Sequence, residues 1–540
     1  MPTSSNSLPD DVEALREIVV QQRSQLEQTQ SQLNAQQAQL EHTSEQITTL
    51  EEYIRLLKQQ RFGTSSERAS IDQLGLFNEA EATDGAEDDA AVDDAPETPV
   101  AAHTRKKRGR KPLPEVLPRV EIVHDLAEDE KICALDGHAL EEIGREVSEQ
   151  LEIIPATIQV LRHIRPKYAC PRCKTGIKIA PVPPQPIPKS LASAGLLAHV
   201  AVSKYVDALP LYRQEAMLGR LGIDLPRATL ANWMVKSGQL VVPLVNLIRE
   251  QLLASDYLQC DETRFQVLKE PGKRAQSQSY LWVQRGGTEA HPLLLYDYDP
   301  SRSGEVPKRL LEGFEGFLQT DGYAGYTAIG SMGGVVHVGC WAHARRKFDE
   351  ALRVQGKNKK KGAKRSKKHS KAEQGLRFIG KLYRIERETA ALSAAERHRI
   401  RHERSRPILD QLRAWLDASV GSVPPQSLTG KALGYLDKQW PKLVRYLEDG
   451  RLRIDTNLVE NAIRPFVVGR KNWLFADTVR GAEASANLYT VIETAKVNGI
   501  KPYAYLRHVF AELPKATTLE DVEALLPGRV DLEQIRIANP

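Results

Sequence analysis

Residues 257–265 read Tyr-Leu-Gln-Cys-Asp-Glu-Thr-Arg-Phe, and their alternation of apolar and polar side chains predicts a β-strand. Four further short runs predict strands at 279–283, 293–296, 317–321 and 335–338. Helices are expected near residue 306 and from residue 341 onward. Three early strands followed by alternating helix and strand indicate a mixed α/β sheet.

Two carboxylates occupy informative places in this pattern. Asp261 lies within the first strand and Asp321 ends the fourth, so the two would face one site if those strands are neighbours. A third acid fits on a late predicted helix, where Glu460 and Asp455 compete for the role. Three carboxylates converging from distant segments can hold the Mg²⁺ or Mn²⁺ ions of phosphoryl transfer. An Asp at a strand end is also common in turns, so spacing alone leaves the role open.

Glu262 follows Asp261 directly in the sequence. Because successive side chains of a strand point to opposite faces, we expect Glu262 to face away from Asp261. We therefore assign it no metal-binding role.

The charge distribution separates two kinds of segment. The 540 residues include 75 Lys and Arg and 70 Asp and Glu, but residues 79–97 hold nine of the acids and none of the bases. The rest of the chain is therefore basic, which suggests a polyanionic partner. Five cysteines exclude a disulfide scaffold and favour a reducing compartment. We find neither a membrane-spanning apolar run nor a secretory signal, and expect a cytoplasmic protein.

The first 62 residues predict a long helix that forms a coiled coil. An apolar residue recurs every seven positions, at Val12, Val19, Leu26, Leu33, Leu40, Ile47 and Ile54. This repeat predicts a homo-oligomer, although polar residues interrupt the companion positions in the middle of the helix. A solvated Gln-rich helix is the alternative.

Residues 63–104 are acidic and poor in aromatic side chains, which predicts a disordered linker. A basic run follows at 105–111. Arg108, Arg110 and Lys111 suit insertion into a narrow DNA minor groove, where arginine meets the negative potential. A simple basic tether is the competing interpretation.

Residues 105–185 hold this basic run and a small cysteine-containing unit that resembles a zinc ribbon. Cys170 and Cys173 form a tight pair, and Cys133 with His138 forms an upstream ligand-bearing turn. Asp136 stands where a second upstream cysteine is expected, so the fourth Zn²⁺ ligand stays open. A degenerate knuckle that folds without metal is the alternative.

Residues 186–250 predict helices, and a Gly-containing turn at 222–226 joins two of them. This arrangement is typical of a DNA-binding helix-turn-helix, with Arg227, Thr229 and Asn232 as contacts at the start of the second helix. An ordinary helical hairpin is the alternative.

Four motifs together resemble the insertion-sequence-66 family of bacterial DDE transposases, TnpC type. They are Asp-Glu-Thr at 261–263, Thr-Asp-Gly-Tyr at 320–323, Gly-Cys-Trp-Ala-His-Ala-Arg-Arg at 339–346 and Asn-Leu-Val-Glu-Asn-Ala-Ile-Arg-Pro at 457–465. The resemblance implies an RNase H-like catalytic core with Asp261, Asp321 and Glu460 as its metal-binding triad. It also implies cleavage of element ends, transfer of 3′ ends into double-stranded target DNA, and small accessory proteins. A bacterial, nucleoid-associated location follows.

The implied core comprises residues 251–350 and 451–515, with a helical insertion at 351–450 and a tail at 516–540. The insertion begins with a basic loop at 357–371 that is either a phosphate-binding segment or a solvated loop.

Basic residues around the implied active site are further DNA candidates. They are His343, Arg345, Arg464, Arg470 and Lys471. Cys340 and His343 have a Cys-x2-His spacing that could suggest a metal, but we expect Cys260 and Cys340 to be packed thiols. We expect Phe475 in the core and leave Trp473 open between core packing and base stacking.

Two other functions fit parts of the sequence. A metal-dependent nuclease or resolvase on the same fold would cut DNA without joining it. A non-catalytic DNA-binding regulator would use the coiled coil, the knuckle and the helix-turn-helix, but the three acids argue against it.

Overall fold

A computed structural model describes residues 12–62, 158–168, 178–179, 181–329, 333–356 and 369–530. The chain divides into two compact units, one of residues 1–77 with 183–540 and one of residues 78–182. In the smaller unit, the described strands β1 (Lys167–Tyr168) and β2 (Lys178–Ile179) pair antiparallel.

In the larger unit, helix α1 spans Val12–Phe62 without a break. The predicted helix is therefore confirmed, but its pairing is not tested by a single chain. From Val19 to Ile54 the apolar residues of the seven-residue repeat are exposed, with Leu26 at 69% and Leu40 at 71%.

A six-stranded mixed sheet forms the centre of the larger unit. Its main strands run in the order β5-β4-β3-β6-β7, and a short strand β8 pairs with the far end of β3. The strands span β3 Tyr257–Lys269, β4 Gln278–Gly287, β5 Pro292–Asp299, β6 Gly316–Gln319, β7 Val335–Val338 and β8 Ala476–Thr478. Strand β4 pairs antiparallel with both β3 and β5, whereas the β3–β6, β6–β7 and β3–β8 pairs are parallel. The mixed sheet predicted from the sequence is thus confirmed.

Helices surround this sheet and continue beyond it. Those preceding or interrupting the strands are α2 Ala194–Tyr205, α3 Leu211–Arg220, α4 Arg227–Leu240, α5 Val242–Leu253 and α6 Glu305–Leu310. The later helices are α7 Trp341–Gly356, α8 Lys371–Glu388, α9 Ala394–Ile400, α10 Arg406–Val420, α11 Leu428–Leu443, α12 Asn457–Trp473, α13 Val479–Val497, α14 Pro502–Glu512 and α15 Leu519–Glu523. A π-helical turn at Arg401–Ser405 joins α9 to α10.

Two apolar cores stabilise this arrangement. The larger core joins the sheet to α2, α4, α5, α12, α13 and α14, and the smaller one joins α7, α8, α10 and α11. Buried threonines of α13 also bind the sheet, since Thr490 accepts a hydrogen bond from the Tyr296 backbone N–H at 2.9 Å. The edge strand β5 is thereby covered by a helix, which satisfies backbone groups that would otherwise be buried without partners.

The helices α3 and α4 confirm the expected helix, turn and helix. Gly222 in the turn has φ +77°, a conformation that favours glycine. Helix α4 does not stand apart from the sheet region, because Gly238 lies directly against Ala484 of α13. The second helix of the hairpin is therefore held rigidly on the layer that carries the central sheet.

One expectation about the core is wrong. Phe475 is 41% exposed, because the chain turns sharply after α12 at Leu474, which has φ +67°. Trp473 instead packs in the core, with edge-to-face contacts to Phe265 and Phe466. Among the described helices, none is long and apolar enough to cross a membrane.

Gly238 provides a test of the packing between α4 and α13. A Cβ atom at this position would lie 2.5 Å from the Ala484 Cα, so Gly238→Ala forces backbone to move. We expect a loss of about 1–3 kcal/mol in the free energy of unfolding, measured by denaturant titration. Gly380→Ala is the matched control, since Gly380 lies inside α8 with open space around it and alanine favours helix. Equal effects of the two substitutions would contradict the packing argument.

Candidate active site

The first two predicted acids lie at corresponding points of neighbouring parallel strands. The register of β3 and β6 pairs Gln259 with Gln319, and Asp261 and Asp321 each follow two residues later. Their side chains leave the chain at the same edge of the sheet because parallel neighbours keep equal offsets in register. The adjacency expected from the sequence is present.

The third acid reaches the same edge through a pair of buried glutamines. Gln259 Nε2 donates to Gln319 Oε1 at 2.8 Å and to the Asp455 carbonyl at 3.0 Å. Gln259 Oε1 accepts from the backbone N–H of Val459 at 3.3 Å, in the first turn of α12. This bridge places the first turn of α12, and with it Glu460, against β3.

Gln319 extends the bridge to the segment that precedes α12. Its Nε2 donates to the Arg453 carbonyl at 2.8 Å and to the Gly339 carbonyl at 3.0 Å. Both glutamine side chains are buried, so their hydrogen bonds are costly to lose. Neither glutamine was singled out from the sequence, where amides between apolar residues carry no distinctive signal.

Asp261 is influenced electrostatically by the other two predicted acids. Burial raises the pKa of Asp261 well above its usual range, and the negative charges of Glu262, Asp321 and Glu460 raise it further. A cluster of carboxylates that repel one another has the donor chemistry of a hard divalent cation. These acids offer the oxygen donors that Mg²⁺ prefers.

Asp455, the alternative third acid, already has partners. Its Oδ2 accepts from Tyr383 Oη at 2.9 Å and from Asn457 Nδ2 at 2.9 Å, and its Oδ1 accepts from the Asn457 backbone N–H. Two of these bonds join Asp455 to Asn457, the first residue of α12, so Asp455 supports the start of the helix that carries Glu460.

Glu262 belongs to a buried clamp on the other face of β3. Its side chain is 2% exposed and accepts hydrogen bonds from Arg302 Nε at 2.7 Å and Tyr326 Oη at 3.1 Å. The expectation that Glu262 turns away from the metal-binding face agrees with these partners.

The Glu262–Arg302 clamp is connected to Asp321 through the ring of Tyr323. The Arg302 guanidinium stacks on Tyr323, 3.9 Å from the ring centroid, and Tyr323 donates its hydroxyl to the Arg302 carbonyl. The Tyr323 backbone N–H in turn donates to Asp321 Oδ1 at 2.8 Å. Glu262 and Arg302 thus hold the loop that orients Asp321.

The Cys-x2-His sequence lies beside the third acid. Cys340 directly precedes α7 and His343 lies in its first turn. The Sγ of Cys340, one ring nitrogen of His343 and one carboxylate oxygen of Glu460 lie within 4.8 Å of one another. Arg346 Nη2 approaches Glu460 Oε2 at 3.5 Å. Burial lowers the pKa of His343, and the nearby Arg346 charge lowers it further, which favours the neutral imidazole.

The proposed DNA contacts lie in several places. Thr229 and Asn232 line an open cavity of about 270 Å³ beside α4, together with Lys189 and Lys236 and without an acidic residue. Arg227 is exposed at the start of α4. A basic, acid-free wall suits a phosphate backbone.

The remaining basic candidates lie near α7 and α12. Arg345 and Arg464 are half-buried and Lys471 is exposed. Arg470 donates to the Arg264 carbonyl and so supports the sheet as well. Several predicted residues lie outside the described part of the chain, namely Arg108, Arg110, Lys111, Cys133, His138, Cys170 and Cys173.

Comparison with protein families assigns most of the chain. Residues 189–484 match the family model described as Transposase IS66 family, more than half of the sequence. The chain belongs to the IS66 family of transposases. Three further models agree: "Transposase C of IS166 homeodomain" at 49–122, "zinc-finger binding domain of transposase IS66" at 130–174 and "IS66 C-terminal element" at 490–527. The zinc-finger segment at 130–174 contains all four proposed zinc ligands.

Relatives of similar length occur in Sinorhizobium fredii. The uncharacterized protein y4qI is 31% identical over 96% of this chain and 97% of its own length. The uncharacterized protein y4jD is 33% identical over 78% of this chain and 82% of its own. The similarity to these two proteins therefore covers most of this chain and most of each of theirs.

The clamp in this IS66 family member predicts unequal effects of two substitutions. Arg302→Met leaves the Glu262 carboxylate buried without its cation and should cost about 2–3 kcal/mol of stability. Glu262→Gln should cost less, because Arg302 is 42% exposed and can be solvated. Thermal and denaturant unfolding of the two variants measure this difference. A larger loss for Glu262→Gln would contradict the clamp.

The raised pKa of Asp261 predicts that Asp261→Asn stabilises the protein, and that this gain depends on pH. Because folding raises the pKa of Asp261, ionisation opposes folding once the pH exceeds the range in which the unfolded carboxyl is protonated. In a metal chelator, Asp261→Asn should match the parent below about pH 4 and exceed its stability by about 1 kcal/mol or more at higher pH. Unfolding curves from acid to neutral pH measure this. Asp477→Asn, at an exposed ion pair, is the control and should change stability little. If Asp261→Asn were no more stable than the parent at neutral pH, the raised pKa of Asp261 would be contradicted.

Proposed function

We propose that the protein is a DNA transposase that cleaves the ends of an insertion sequence and transfers the 3′ ends into target DNA. The observation that supports this most is the parallel register of β3 and β6, which gives Asp261 and Asp321 equal offsets, together with the electrostatic influence of Asp321 and Glu460 on Asp261. Its family membership supplies the substrate class. The RNase H-like nature of the core is part of the same proposal.

In this proposal the three carboxylates hold Mg²⁺ or Mn²⁺, which when bound activates the attacking oxygen and stabilises the leaving one. The residues of the chain fix the positions of these acids before any DNA arrives. The Gln259–Gln319 bridge fixes Glu460 relative to Asp261, and the Glu262–Arg302 clamp fixes the Asp321 loop. Rigid ligand placement of this kind lowers the reorganisation that phosphoryl transfer requires.

DNA binding is assigned to several basic surfaces. The α4 cavity with Lys189 and Lys236 would contact an element end, and its fixed packing on α13 would hold that end at a set distance from the acids. His343, Arg345, Arg464 and Lys471 would contact DNA closer to the carboxylates. The basic run at 105–111 and a Zn²⁺-holding knuckle of Cys133, His138, Cys170 and Cys173 would add further contacts, consistent with the zinc-finger family match.

Self-association through α1 completes the proposal. The exposed apolar stripe from Val19 to Ile54 would be buried by a second copy in a coiled coil. Transposition joins two ends, so a complex with two or more copies of the chain suits the reaction. We also include small accessory proteins in the proposal, and family membership is the sole basis for including them.

The catalytic assignment is tested by neutralising single acids. Asp261→Asn and Glu460→Gln should each reduce strand cleavage about 1000-fold or more while leaving end binding intact, because the metal ligands are lost and the DNA-binding surfaces are not. Cleavage of labelled element ends and gel-shift binding are measured in parallel. Glu305→Gln is the control, since Glu305 is an exposed acid on α6. Normal cleavage by either triad variant would overturn the assignment.

A strand-transfer assay separates the competing functions. With pre-cut 3′ ends, a transposase joins them to target DNA, whereas a nuclease or resolvase does not. A non-catalytic regulator would bind ends without cutting and without dependence on divalent metal.

A further inference from the structure

We propose that Cys340, His343 and Glu460 form a second metal site, which binds a thiophilic divalent cation such as Zn²⁺ and withdraws Glu460 from the catalytic cluster. Zn²⁺ would then inhibit the enzyme while Mg²⁺ supports it. The inhibitory consequence rests on the proposed function, but the binding of metal to the three side chains does not.

The spacing of the three ligand atoms suits one ion. In a tetrahedral Zn²⁺ site, sulfur, nitrogen and oxygen ligands lie about 3.3–3.6 Å from one another. His343 Nδ1 lies 3.8 Å from Glu460 Oε1, and the mutual separations with Cys340 Sγ stay within 4.8 Å. Small side-chain rotations at His343 and Glu460, both on the first turns of helices, would close the remaining gap.

The sulfur is held in an acceptor role by its surroundings. The backbone N–H of Thr456 donates to Cys340 Sγ at 3.3 Å. The Thr456 hydroxyl has one proton to donate, and Cys340 Sγ and Glu460 Oε1 both lie 3.1 Å from its Oγ1. Burial raises the pKa of the Cys340 thiol to about 12, so the sulfur without metal keeps its proton, while the Thr456 donors act in the opposite direction and resemble the outer-shell contacts of metal thiolates. Binding of Zn²⁺ would replace the thiol proton, which is released to solvent as the sulfur–metal bond forms.

The imidazole is also poised for a metal. Within the described chain, His343 Nδ1 is buried and has no hydrogen-bond partner. A buried nitrogen without a partner is costly, and a cation beside it would remove that cost. The ring is otherwise packed beside the carboxylate that would complete the site.

Selectivity follows from the ligand types. Cys and His favour Zn²⁺ over Mg²⁺, whereas the neighbouring Asp261 and Asp321 offer only the oxygen ligands that Mg²⁺ prefers. Glu460 is common to both sets. One carboxylate oxygen directed at the Cys340 side is therefore lost to the catalytic cluster, and this competition is the basis of inhibition.

Binding is tested on the full-length chain with Cd²⁺, whose bond to a thiolate gives a charge-transfer absorbance. A background with Cys133→Ser, Cys170→Ser and Cys173→Ser removes all three thiols of the zinc-finger segment. In this background, Cd²⁺ should produce an absorbance that Cys340→Ser removes and that Cys260→Ser retains. Cys260 is the matched control because it is the other buried free thiol in the described chain.

His343→Ala provides a second variant that keeps the sulfur. It should weaken Cd²⁺ binding about 10-fold or more without removing the absorbance at saturation. An unchanged absorbance in Cys340→Ser, with the fold intact by circular dichroism, would overturn the site. Equal affinities of His343→Ala and its parent would overturn the role of the imidazole.

Inhibition is measured separately in Mg²⁺-dependent cleavage. The Zn²⁺ concentration for half-inhibition should rise about 10-fold or more in Cys340→Ser and stay unchanged in Cys260→Ser. Equal sensitivity of the two variants would refute the competition for Glu460. Loss of cleavage in the parent protein would instead refute the proposed function, while the absorbance result would stand by itself.

Discussion

The hydrogen bond between Gln259 and Gln319 is the constraint on which the rest of the site depends. It joins the two central parallel strands, and the same pair of amides binds the carbonyls of Arg453 and Asp455 and an N–H of α12. Residues nearly 200 positions apart in the chain are thereby brought to one edge of the sheet. Buried amides serve this purpose because each offers donors and an acceptor that are costly to leave unpaired.

The helices between β7 and α12 hold the segment that leads to this edge of the sheet through a second buried contact. Arg401, in the π-helical turn, forms an ion pair with Glu386 and donates to the carbonyls of Tyr446, Asp449 and Leu452. The segment it holds leads directly into Asp455, which Tyr383 of α8 also contacts. A long insertion therefore stabilises the approach to the third acid, and its packing and the geometry of the carboxylates are linked.

Much of the fold was predictable because its strands alternate in the usual period of two. Asp261, Asp321 and Glu460 were identifiable from their motifs, and the parallel pairing of β3 with β6 brings the first two together. The glutamine bridge, the Glu262–Arg302 clamp and the approach of Cys340 to Glu460 were not predictable. Each depends on which surfaces meet in three dimensions, and Phe475 was misplaced because the backbone turn at Leu474 leaves no sequence signature.

The sequence by itself determined the heptad repeat of α1, the strand and helix order, the basic segments and the family, since these reside in local periodicity and in motif order. Only the tertiary structure decided that Asp455 binds Tyr383 and Asn457 while Glu460 lies beside His343 and Arg346, that Glu262 binds Arg302, and that α4 is fixed on α13 through Gly238. The physical reason is that burial and hydrogen bonding join distant segments. The roles of these side chains follow from partners that no local pattern specifies.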